Sequence, residues 1–242
     1  MCFTTINQCF GQNTQNIQAF YKYTNYGTNQ KYDITLLVNE TKALSIFKKK
    51  DEKALSLDEK NNNISFSKQY YDDEGQKYFI DSKKKEIIFR DFVYDGEDKS
   101  VIVTEKLPDY EWDFKSEVKQ IGKYECYLAE LSFRGRDFLV WFNPKINIPF
   151  GPWKFYGLPG LIVYIQSKDK NIEISLNEIV FHKSSNINVP TNGENISFEQ
   201  YVNYKEKEVS QFIKKLKSKL PRGAKVTVNE TGDSYNLEKE YY

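Results

Sequence analysis

A single histidine, His182, and three cysteines, Cys2, Cys9 and Cys126, are all the imidazole and thiol this 242-residue chain holds. One imidazole excludes HExxH zinc chemistry and His-rich metal sites. No two cysteines have the spacing of a metal or redox pair, so no cofactor is expected and a disulfide scaffold is excluded. His182 follows the apolar run EISLNEIVF and reads as an ordinary surface or edge residue at a strand end. Cys126 lies in YECYLAEL, where alternation puts Tyr124, Cys126 and Leu128 on one face. It has no activating partner nearby and reads as a small buried hydrophobe. Carboxylates abound, and Glu130 and Asp137 flank Arg134-Gly135-Arg136, so an ion pair is expected around that polar hairpin. No nucleophile can be placed beside a base, which points to a protein that is not an enzyme.

The remaining chemistry is aromatic. Trp141, Trp153, Phe155 and Tyr156, with Arg134 and Arg136, form a candidate binding set for an apolar ligand or a protein partner. Such rings more often serve simply as core. Three of them lie in or beside GPWKFYGLPGLIVYI, Gly151 to Ile165, which concentrates Gly151, Pro152, Gly157, Pro159 and Gly160 in ten positions. Leu158-Pro159-Gly160-Leu161 fits a type II turn, with Pro presetting its φ and Gly160 taking a positive one. Gly157 permits a close backbone approach. After the turn, Leu161, Ile162 and their successors read as a strand covered on both faces. The segment is not phosphate-binding, because it lacks GxGxxG, GK[ST] and a following helix.

The elements that must position these residues are mostly strands. NIQAFYKYT, YDITLLV, ALSIFKK, ISFS, KYFID, EIIFR, SVIVTEKL, GKYECYLAELSF, DFLVWF, LIVYIQS and NIEISLNEIVF read as successive strands. The stretch 51–63 reads as a charged, Asn-rich loop. Ser197 and Gln200 form a capping box, and Phe198, Tyr201, Val202, Val209, Phe212, Ile213, Leu216 and Leu220 then recur at helical spacing until Pro221. This predicts a helix over about 198–220, its apolar stripe packed on the sheet and its Lys214, Lys215, Lys217 and Lys219 flank facing solvent. The expected fold is mainly β: a large antiparallel sheet or half-barrel meander, with one long C-terminal amphipathic helix packed on it. A single domain should span 12–242. Thirty-five basic and 34 acidic residues are interspersed, which excludes the footprint of a nucleic-acid binder. No apolar run is long enough for a transmembrane helix. Residues 1–11 read as a signal-peptide remnant, with Cys9 and Gly11 at the small −3 and −1 positions before Gln12.

The string GLPGLI at 157–162 resembles the signature of the GLPGLI family, and the surroundings agree. The matching positions are Trp112, Lys119-Gln120-Ile121-Gly122, Cys126, Ala129, Phe133 to Arg136, Trp141-Phe142, Ile148-Pro149, Gly151-Pro152 and Gly157 to Ile162. The resemblance covers roughly 112–165. It implies a periplasmic or secreted protein of Bacteroidota. It implies no reaction. The aromatic-rich antiparallel domain with one helix on its sheet is what points to binding a small apolar ligand or an envelope protein partner, the alternatives being a structural or interaction subunit of an outer-envelope complex or an uncharacterised enzyme.

Overall fold

The computed structural model describes residues 16–27, 29–49, 55–58, 63–66, 72–95, 97–182, 187–219 and 237–238. The signal-peptide remnant expected at 1–11 lies outside them. The strands are β1 (Asn16–Asn25), β2 (Gln30–Val38), β3 (Lys42–Lys49), β4 (Leu55–Asp58), β5 (Asn63–Phe66), β6 (Gln76–Asp81) and β7 (Glu86–Tyr94). They continue with β8 (Asp98–Lys106), β9 (Asp113–Ile121), β10 (Tyr124–Phe133), β11 (Arg136–Asn143), β12 (Leu161–Ser167), β13 (Ile172–His182) and β14 (Glu194–Ile196). One helix, α1 (Phe198–Lys219), follows.

Twelve strands make one sheet in the order β14-β8-β7-β6-β3-β2-β1-β13-β12-β11-β10-β9, antiparallel except where β14 joins β8. Strands β4 and β5 pair separately, so the stretch expected as a loop at 51–63 contains a strand. The sheet is open and curled, and the chain dictates the curl. Strand β8 and strand β9 are ten steps apart in the order, about 48 Å if flat at ~4.8 Å per step. The connector between them, Leu107–Trp112, reaches at most about 25 Å fully extended. The two ends of the sheet must therefore approach each other.

Period-2 alternation sorts the core onto the concave side. In β1, Ile17, Ala19, Tyr21 and Tyr23 are buried on that side, opposite Val38, Leu36, Ile34 and Tyr32 of β2. The row continues through Phe47, Tyr78, Phe89 and Val103 in one direction and Ile174, Ile165, Val140 and Ala129 in the other. Helix α1 packs on β7 and β8 at one end. Its capping box is formed: Ser197 N–H donates to Gln200 Oε1 at 2.8 Å, and Gln200 N–H donates to Ser197 Oγ at 3.1 Å. Tyr201 meets the Phe89 ring edge-on at 5.1 Å and donates its hydroxyl to buried Asp91 at 2.6 Å.

Candidate functional site

The concave interior is filled by the excursion between β11 and β12, the Gly- and Pro-rich stretch of the sequence. Phe150 and Tyr156 bridge its two arms, and Gly157 N–H donates to Pro149 O at 2.8 Å. The connector from β8 to β9 straps it from outside. Trp112 Nε1–H donates to Tyr156 O at 3.0 Å, and the Tyr110 hydroxyl donates to Lys154 O at 2.6 Å. From the central sheet, the buried Tyr21 hydroxyl donates to Ile162 O at 2.8 Å.

Two assignments at this corner change. Gly160 does not take a positive φ, so the expected type II geometry is not what requires glycine there. Its requirement is space: a Cβ would lie 2.3 Å from Asn143 O and 2.7 Å from Pro144 Cα. The positive φ belongs to Gly157, at 96°. Trp153 also takes a positive φ, 62°, a conformation that a bulky side chain adopts only when its surroundings impose it. It is 1% exposed, wedged among Phe133, Phe138 and Phe155.

The binding set is therefore dispersed. Trp153 and Phe155 are interior core and line no surface. Tyr156 is half-buried against Phe150. Trp141 faces the convex side, with the Lys119 ammonium 5.6 Å from its ring. The arginines do not pair with Glu130 or Asp137. Arg136 bonds Asp169 at 2.6 Å, while Glu130 takes Lys168 and Asp137 takes Ser132. His182 ends β13, as expected of a strand-end residue.

What the excursion brings together is a buried charge cluster. Lys154, 2% exposed, holds its ammonium 2.6 Å from both Glu105 Oε1 and Glu238 Oε1. Arg134 bonds Glu105 Oε2 and reaches Glu238 at 3.1 Å. Glu105 Oε1 receives no well-angled hydrogen bond and is held by the ammonium alone. Aromatic faces enclose the cations: Phe89 lies 4.3 Å from Lys154 Nζ, and Phe198 lies 4.7 Å from the Arg134 guanidinium. Burial would lower the Arg134 pKa, but the Glu238 and Glu105 carboxylates overcome it and raise it. Burial first, and then Glu105, pushes the Tyr110 hydroxyl well above its usual value. Two cations and two carboxylates cancel, as a buried cluster requires. Sequence reasoning named only Arg134 of these four, because its partners lie 29 and 104 residues away.

A second feature lies at the sheet's end. Strand β9 is hydrogen-bonded only to β10, and its outer edge is free among the described residues. On the concave side of this edge, Phe114, Val118 and Tyr127 are 56%, 52% and 37% exposed. The rings of Phe114 and Tyr127 rest on buried Phe142 at 6.0 and 6.3 Å. The patch thus continues the core out to solvent. Among the described residues no group of three or more His, Cys, Asp or Glu could hold a metal ion, and no helix is long and apolar enough to cross a membrane.

No family model and no curated protein matches this chain. Among solved structures, PNGF-II in one crystal form is similar with a TM-score of 0.55 and 18% identity, over 80% of this chain and 34% of that one. In another crystal form the TM-score is 0.54 at 17% identity, over 80% and 33%. At such identity the likeness is one of fold. The chain spans about a third of the length of the PNGF-II chains it matches.

Proposed function

We propose that this protein is an exported, non-catalytic binding module of the GLPGLI type that engages a protein partner of the cell envelope through β9. The observation that carries the reading is the free edge of β9 with Phe114, Val118 and Tyr127 exposed beside it. An unpaired edge offers backbone N–H and C=O groups to an incoming strand, and an adjacent apolar patch supplies affinity. Scattered surface apolar residues need no explanation, but these three are contiguous and lie over the core. The fold likeness to a third of a longer chain supports a modular role. Export and family membership rest on the GLPGLI string and on the small residues before Gln12.

Photo-crosslinking in the native host tests the proposal. A crosslinking residue at Glu117 or Lys119, on β9, should trap one protein, and the same residue at Lys83, in the β6–β7 turn, should not. Ser116→Pro should remove the adduct without unfolding the chain, because proline on an edge blocks strand addition. Equal crosslinking from Lys83, or an adduct untouched by the proline, would exclude β9 as the docking edge. The intact mass of the envelope-borne chain should begin near Gln12, and a chain retaining Met1 in the cytosol would refute export.

A further inference from the structure

We infer that Arg134 and Lys154 form a carboxylate-binding site that the chain fills in cis with Glu238 and can instead give to an apolar monocarboxylic acid. Three members of the cluster come from the folded body: Glu105 from β8, Arg134 from the β10–β11 turn and Lys154 from the interior excursion. Only Glu238 comes from beyond α1, 84 residues after Lys154. The body alone contributes two cations and one carboxylate. It therefore buries one uncompensated positive charge, an arrangement that demands an anion.

The donors suit a carboxylate. Arg134 presents two guanidinium nitrogens, one to Glu105 and one to Glu238, and Lys154 adds a point charge to the same Glu238 oxygen. The surroundings suit an apolar body behind that carboxylate. Phe89 and Phe198 face the cations, and Leu237, beside Glu238, packs against the core. Leu237–Glu238 is thus an apolar group carrying a carboxylate, which is the chemistry of a medium-chain fatty acid in compact form. Ion pairs and hydrogen bonds, not covalent bonds, hold the Glu238 carboxylate, so a free carboxylate supplied in excess can compete for the same donors.

Octanoate is the probe, and the full chain is the protein. Carboxypeptidase digestion followed by intact mass should stop short of the buried Leu237–Glu238 pair in the parent, and octanoate should let trimming pass it. Octanamide, with the same body and no charge, should not. Glu238→Gln should trim freely without ligand and bind octanoate more tightly by calorimetry. Adding Arg134→Met to that variant should abolish the binding. Arg134→Lys, which keeps the charge but loses the fork, should weaken it if the methionine variant does not fold. Trimming that ignores octanoate, an equal response to octanamide, or unchanged octanoate affinity in Glu238→Gln would each overturn the inference. None of these readouts involves β9, so failure here leaves the docking edge to be judged by its own test.

Discussion

Replacing Gly160 by alanine separates the two physical roles that glycine plays at this corner. The added Cβ would sit 2.3 Å from Asn143 O, 2.7 Å from Asn143 C and 2.7 Å from Pro144 Cα. All three atoms are backbone, so no rotamer change relieves the clash, and strand β11 or the excursion must shift. Overpacking of this kind costs about 3 kcal/mol. Gly157 is the contrasting case. Its Cβ would meet only Trp112 Nε1, at 3.6 Å, but its φ of 96° is strained for any L-residue. That strain costs about 1–2 kcal/mol. Gly151 lies between, since its Cβ would press on Ile162 Cδ1, the movable end of a side chain, at 2.4 Å. Urea unfolding followed by tryptophan fluorescence is the assay. With a slope of about 2–3 kcal/mol per molar, Gly160→Ala should lower the midpoint by about 1–1.5 M, and Gly157→Ala by roughly half that. A larger shift for Gly157→Ala, or an unmoved midpoint for Gly160→Ala, would refute the close-approach account.

Three further outcomes are expected. Trp153→Ala should destabilise by about 3–5 kcal/mol in the same assay, because a fully buried indole leaves a cavity. Asp91 should make the docking of α1 acid-sensitive. Burial pushes its carboxyl up, but Lys205 and the hydrogen bonds from Gln76, Tyr201 and the Phe92 N–H outweigh it and hold it below the usual range. A carboxyl lowered in the folded state contributes stability above its unfolded value, near ~3.9, and loses it as the pH falls through the folded value. Parent stability should therefore decline below about pH 4 more steeply than that of Asp91→Asn, as read by circular dichroism. Cys126 is fully buried, and burial pushes its thiol up to about 11, so in a Cys2→Ser, Cys9→Ser background native protein should resist a thiol reagent that labels unfolded protein rapidly.

What was legible in the sequence was what local pattern encodes. The alternation of NIQAFYKYT placed β1 and its inward face, and Ser197 with Gln200 placed the start of α1 at its observed first turn. Strand β9 was missed because DFKSEVKQI is exposed on both faces, and an edge strand of that kind carries no period-2 signal. The Leu-Pro-Gly turn was read by its local chemistry, yet the deciding contact at Gly160 comes from the end of β11. The charge cluster was invisible for the same reason on a larger scale. Glu105 and Arg134 meet only because the β8–β9 connector is too short for a flat sheet. That one constraint curls the sheet and creates a concave interior. Filling it takes a rigid insert: prolines restrict the unfolded chain, aromatic rings supply the volume, and glycines admit the close approach at Gly160 and the positive φ at Gly157 at some cost in chain entropy. The insert carries Lys154 into the center, where a lone ammonium would be costly, and the carboxylates of Glu105 and Glu238 answer it. The density of Gly and Pro at 151–160, the buried lysine and its pairing with Glu238 are thus successive consequences of one short connector.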